Sequence, residues 1–115
     1  TIKSIRKWFQ ANIGCGDWTI DISITDPQKG MMEDIPRDKW DMFFGRATPN
    51  VFTHKAQIWI NIPTHKDEVP EETLLHELLH VFFADCGLEE TNDQCEYAIN
   101  RLSNVLLRQW RMETV

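Results

Sequence analysis

The sequence predicts an α+β domain: a small, mainly antiparallel three-stranded sheet, preceded by one N-terminal helix and followed by a C-terminal helix and a further helix that backs it. Three observations predict it. Two segments, 18–25 and 56–62, alternate apolar and polar residues with the period of two that a half-buried strand requires. The first ten residues, and most of the chain after Pro70, instead repeat apolar residues at helical spacing. The 115 residues, 42% of them hydrophobic, suffice for one core without disulfide staples.

The elements follow in order. In TIKSIRKWFQ, Ile2, Ile5 and Phe9 share one face, with Lys3, Arg6 and Lys7 opposite, which reads as a short amphipathic helix. In WTIDISIT, Trp18, Ile20, Ile22 and Ile24 point one way and Thr19, Asp21 and Ser23 the other. Asp26-Pro27 ends that strand, and a loop rich in charge and turn formers runs to about Asp41. FFGRAT, Phe43–Thr48, is a second strand, stopped by Pro49-Asn50. AQIWINI places Ala56, Ile58, Ile60 and Ile62 on one face of a third strand, with Trp59 on the other, and Pro63 closes it. Strands this close in sequence pair most simply as antiparallel neighbours. Pro70 suits a first helical position, Glu71 and Glu72 complement the positive helix end, and Gly87 is a natural stop. Thr91 and Gln94 form a capping box for a last helix, whose apolar stripe runs through Cys95, Ala98, Ile99, Leu102, Leu106 and Trp110.

Composition excludes several classes. With 12 basic and 18 acidic residues the net charge is −6, which opposes nucleic acid or an anionic membrane as the main partner. No apolar run reaches the length that spans a bilayer, and the N-terminal segment lacks the apolar core of a secretory signal. Cys15, Cys86 and Cys95 are odd in number and lack CxxC spacing, so they read as neither a disulfide framework nor a zinc ribbon. Thiols in that state fit a reducing, cytoplasmic setting.

The chemistry lies in His76-Glu77-Leu78-Leu79-His80, an HExxH motif within the best helix. Residues four apart lie on one helix face about 6 Å apart along the axis, so two imidazoles can converge on one ion. Zinc takes imidazole nitrogen readily, and a catalytic site uses three protein ligands and a water. Glu77, about 100° round the helix from His76, can reach that water without entering the ligand sphere and act as general base. Both imidazoles must be neutral to bind, so metal affinity should fall in acid. Leu74, Leu75, Leu78, Leu79, Phe82 and Phe83 make this helix mostly buried, and polar groups are costly to bury without partners. The plainer reading is a pair of satisfied histidines on an ordinary helix.

A third ligand must come from elsewhere. The extended metzincin pattern fails, because Phe83 and Cys86 stand where glycine and histidine are required. Among the downstream acids, Glu89 and Glu90 fall in a turn where solvated charge is the default. Glu96, one turn into the last helix and about 100° from the centre of its apolar stripe, is the candidate; Asp93 is the alternative. A solvent-facing Glu96 is the competing reading, and Cys95 reads as a small core residue.

HELLH, a short turn and then Glu96 in CEYAINRLSNVL resembles the gluzincin arrangement of zinc metallopeptidases. The small size is similar to minigluzincins and small phage-encoded HExxH peptidases. The likeness covers about Phe43 to Leu107, and only HELLH is a specific motif; the short connection from His80 to Glu96 departs from the family. It implies hydrolysis of peptide bonds with zinc on His76, His80 and Glu96. It also implies that the strand before the active-site helix, here Ala56–Ile62, binds extended substrate by strand addition through Ala56, Ile58, Trp59 and Ile60. The expected partner is thus a peptide or protein substrate. His54, His65 and Tyr97 are weaker candidates for steadying an oxyanion, and Arg46 for holding a substrate carboxylate or bracing the sheet. Two rivals use the same motif: a zinc-stabilised interaction module without turnover, and a DNA-associated SprT-like protease. The latter would want a third histidine and a basic or zinc-ribbon extension.

Overall fold

The computed structural model describes residues 1–65, 69–88 and 93–114. The expected capping residue Thr91 and the acidic pair Glu89 and Glu90 lie outside those residues. The chain runs through α1 (Ile2–Asn12), β1 (Thr19–Ser23), a 3₁₀ turn (Arg37–Met42), β2 (Gly45–Asn50), β3 (Lys55–Ile60), a second 3₁₀ turn (Ile62–Thr64), α2 (Pro70–Asp85) and α3 (Asp93–Glu113). The α+β expectation holds, with one helix before the sheet and two after it.

The sheet order is β1-β3-β2. β3 is central, antiparallel to β2 and parallel to β1. β2 and β3 are joined by a tight turn in which Asn50 Oδ1 accepts from the backbone N–H of Phe52 (3.0 Å) and Thr53 (3.3 Å). That turn is local and therefore antiparallel, whereas β1 reaches the far side of β3 only after a long connection, which lets it run parallel. β2 starts two residues later than expected and continues through Pro49. An outer strand tolerates proline because its missing donor need not interrupt a ladder on both sides.

The face of β3 formed by Ala56, Ile58 and Ile60 packs with Ile20 of β1 against Leu74, Leu75, Leu78 and Leu79 of α2, with Ile5 and Phe9 of α1 completing this layer. α1 ends hard against α2: a Cβ on Gly14 would stand 2.5 Å from the Phe82 ring, so glycine is needed there. The other sheet face is also covered. Trp59 is buried with Met31 and Met32, flanked by Ile35, Trp40 and Phe43. The charged loop of residues 24–44 therefore carries a small second core, which the Trp59 indole fastens by donating to Thr25 O at 3.3 Å.

α3 packs on α2 through Ile99, Ser103 and Leu107, all buried, while Leu102 is 40% exposed. The contact face is thus turned away from the expected line through Leu102 and towards Ser103. A small serine lets the two helices approach, and its hydroxyl is satisfied by donating to Asn100 O at 3.0 Å. Glu96 lies within about 20° of Ser103 and Leu107 around the helix, so it is the N-terminal member of the packed face. Among the described residues, no helix is long and apolar enough to cross a membrane.

Candidate metal centre

α2 is apolar on nearly all sides, with Leu74, Leu75, Leu78, Leu79 and Val81 buried. Burial of each is worth roughly 1.5–3 kcal/mol, so the helix is held rigidly and its polar residues inherit fixed positions. His76 and His80 project one turn apart on its α3-facing side. Their Nε2 atoms are 3.2 Å apart. Glu96 reaches across from α3 with Oε2 3.5 Å from His76 Nε2 and Oε1 3.0 Å from His80 Nε2. One donor atom from each residue fits within 4.8 Å of the others, a group that could hold a metal ion.

The separations can be compared with what an ion needs. Ligands bound at about 2.0–2.1 Å in tetrahedral directions lie about 3.3 Å from one another. The three observed separations, 3.0, 3.2 and 3.5 Å, bracket that value. A coordinated triad and a hydrogen-bonded one have similar edges; the donor set of two imidazoles and a carboxylate is the one that suits a borderline divalent ion. Asp93, the alternative ligand, is exposed at the first position of α3 and outside the group.

Glu77 is 7% exposed and lines the same cleft as His76, His80 and Glu96. The remaining wall of this cleft, about 290 Å³, is Phe43, Gly45, Arg46 and Ala47. Gly45 is demanded by packing: a Cβ there would stand 2.6 Å from Trp59 O, 3.1 Å from Thr73 Cγ2 and 3.6 Å from Glu77 Cγ. The glycine thus lets β2 pass directly over the turn of α2 that carries Glu77. A second hollow of about 300 Å³ continues past His76 and Glu77 between Phe43, Phe44, Thr73, Asn100 and Ser103.

The expected substrate strand is a correction. Ala56, Ile58, Trp59 and Ile60 lie on the central strand, paired with both β1 and β2 along most of its length, and all four are buried. A strand with neighbours on both sides has no edge to offer a peptide. The edge beside the candidate centre belongs to β2, whose Gly45, Arg46 and Ala47 line the cleft. No local signal in FFGRAT distinguishes an edge from a central strand, although the glycine hinted at close backbone approach.

The remaining candidates have structural partners. Arg46 forms a two-pronged pair with Asp34 (2.8 and 3.1 Å) and also donates to Met31 O at 2.9 Å. The paired guanidinium holds the Asp34 carboxyl below its usual range, and Asp34 raises Arg46 in return. Arg46 therefore braces the loop that covers Trp59. His65 Nδ1 is 2.7 Å from Asn61 O and Nε2 is 2.8 Å from Thr73 Oγ1; in the neutral ring, Nδ1–H donates to the carbonyl and Nε2 accepts from the hydroxyl. His54 pairs with Asp17 at 2.6 Å and stacks on Trp18. Tyr97 is 66% exposed. Asn100, one turn beyond Glu96 on α3, lines the hollow beside His76 and Glu77.

Comparison with protein-family models, with curated proteins and with solved structures returns no match to this chain.

Proposed function

We propose that this chain is a zinc-dependent peptidase in which His76, His80 and Glu96 bind the metal and Glu77 is the general base. One observation carries the reading: three donor atoms stand at near-tetrahedral separations, and a buried carboxylate next in sequence to His76 lines the same cleft. The gluzincin resemblance of HELLH and Glu96 points the same way.

A zinc ion held by these residues would supply Lewis acidity towards a water and a scissile carbonyl. The protein's own part is then positional and acid–base. Glu77 takes a proton from the attacking water and returns one to the leaving amine. An extended substrate pairs with the outer edge of β2 across Gly45–Ala47, where backbone bonding needs no particular side chain. The adjoining hollow beside Phe43, Phe44 and Thr73 takes one substrate side chain.

The test is metal content of the wild type and Glu96→Ala by elemental analysis, followed by cleavage of a peptide mixture by the wild type and Glu77→Gln. One zinc per chain, sharply weakened by Glu96→Ala, together with cleavage that Glu77→Gln abolishes while keeping zinc, is the expected result. No binding of added zinc at neutral pH would overturn the centre. Zinc binding without cleavage would leave the zinc-stabilised interaction module in its place.

A further inference from the structure

A second groove lies on the outer side of the helix pair, about 520 Å³ in volume, between Val69 and Glu72 at the start of α2 and Arg101, Val105, Arg108 and Arg111 of α3. It gathers three of the chain's six arginines, although the molecule as a whole carries −6. All three are exposed, and none makes an ion pair or side-chain hydrogen bond with a described residue. The other arginines differ: Arg6 donates to Gln10, Arg37 lies 4.0 Å from Asp26 and over the Trp40 ring, and Arg46 is held by Asp34. Among the described lining residues, the one carboxylate is that of Glu72.

We propose that this groove binds an extended acidic peptide segment of a protein partner. The spacing argues for a chain of charges rather than one anion. Arg101 and Arg111 are separated by about 15 Å along the helix, the span of about five residues of extended peptide. Guanidinium forks suit carboxylates, two bonds at a time. Val69, Val105 and Leu107 give the floor an apolar character that suits side chains between the carboxylates. The overall negative charge repels a long polyanion such as nucleic acid, but a short peptide with two or three carboxylates meets mainly the local field, because screening limits its reach to about 10 Å at moderate salt. Glu72 lines both this groove and the hollow beside His76, so the two share a wall. The binding does not depend on turnover in the candidate metal cleft.

The experiment is fluorescence anisotropy of a labelled hexapeptide of alternating glutamate and leucine, and its glutamine twin, titrated with the full chain at low and moderate salt. Saturable binding of the acidic peptide is expected, weakening with salt, and at least about tenfold weaker for the glutamine twin. Arg101→Glu combined with Arg108→Glu should weaken it at least about tenfold, while Lys29→Glu, on the opposite loop, should not change it. Circular dichroism checks that the double variant is folded; if it is not, Arg101→Gln with Arg108→Gln replaces it. Absence of saturable binding, equal binding of the two peptides, or equal binding by the double variant would overturn the proposal. So would an equal loss in Lys29→Glu, which would mean a diffuse charge effect, or tighter binding of a thymidine octanucleotide, which would assign the groove to nucleic acid.

Discussion

The four histidines form two contrasting pairs. His54 and His65 each hold a turn: one pairs with Asp17 and stacks on Trp18, the other ties the backbone of Asn61 to the Thr73 hydroxyl. Their partners are ordinary protein groups whose geometry they complete. His76 and His80 instead bring their Nε2 atoms to 3.2 Å from one another, with a carboxylate reaching both. Two histidines that brace turns through a carboxylate, a carbonyl and a hydroxyl are architecture; two that converge on one acid form a group that could hold a metal ion. Identical side chains differ here because one pair is set on turns beside complementary partners and the other on adjacent turns of a rigid, buried helix.

The largest effect should separate the pairs outright. His76→Ala or His80→Ala should weaken zinc binding more than about hundredfold, since losing even a supporting hydrogen bond to a ligand costs 10–100-fold. His54→Ala and His65→Ala should retain one zinc per chain. Elemental analysis and competition with a chromogenic chelator measure both, and equal loss in all four variants would erase the contrast.

Gly45→Ala should be next. Its Cβ meets the Trp59 carbonyl oxygen at 2.6 Å, and a backbone atom inside a ladder cannot move aside cheaply. A cost of about 2–3 kcal/mol is expected, read as a lowered midpoint in thermal unfolding, with zinc binding weakened through displacement of β2 from α2. An unchanged midpoint would show that β2 is not clamped over the site.

His65→Ala should cost about 1–3 kcal/mol, because it removes the partner of the part-buried Thr73 hydroxyl and one of two donors to the Asn61 carbonyl, which keeps the Thr64 N–H. His54→Ala should cost less, about 1 kcal/mol or below, since its pair with Asp17 is solvent-exposed. Chemical denaturation ranks the two, and the reverse order would contradict the architecture assigned to them.

The thiols repeat the contrast on a smaller scale. Burial, with Asp85 and Asp17 nearby, pushes the Cys15 thiol up to about 12, from 9.0. A raised value means that the neutral thiol is the stabilising form. Its contribution is complete below about pH 9 and is lost as pH rises through about 12. Alkaline unfolding of Cys15→Ala should therefore be flatter over that interval than the wild type. At pH 8 a thiol reagent should modify the exposed Cys86 well before Cys15.

The site was partly legible because its strongest feature is local. HELLH falls inside one helix, and a helical repeat fixes the relative directions of His76, Glu77 and His80 without reference to the rest of the chain. Glu96 was legible only as a candidate. Its approach depends on which face α3 turns to α2, and the apolar residues pointed to a line through Leu102 when Ser103 takes the contact. The substrate-strand reading failed for a related reason: alternation in residues 56–62 reports that a strand has an inner face, but carries no information about how many neighbours it has.

By itself, then, the sequence determined the helices, the strand pattern and the position of two imidazoles and a carboxylate along one helix, because each depends on periodicity within a few turns of chain. Only the tertiary structure decided that β3 is central and β2 lies at the cleft, that the charged loop buries Met31 and Met32 over Trp59, and that Glu96 closes the group. Those outcomes depend on pairing and packing between residues distant in sequence, where a single small residue, Gly45 or Ser103, sets how closely two elements approach.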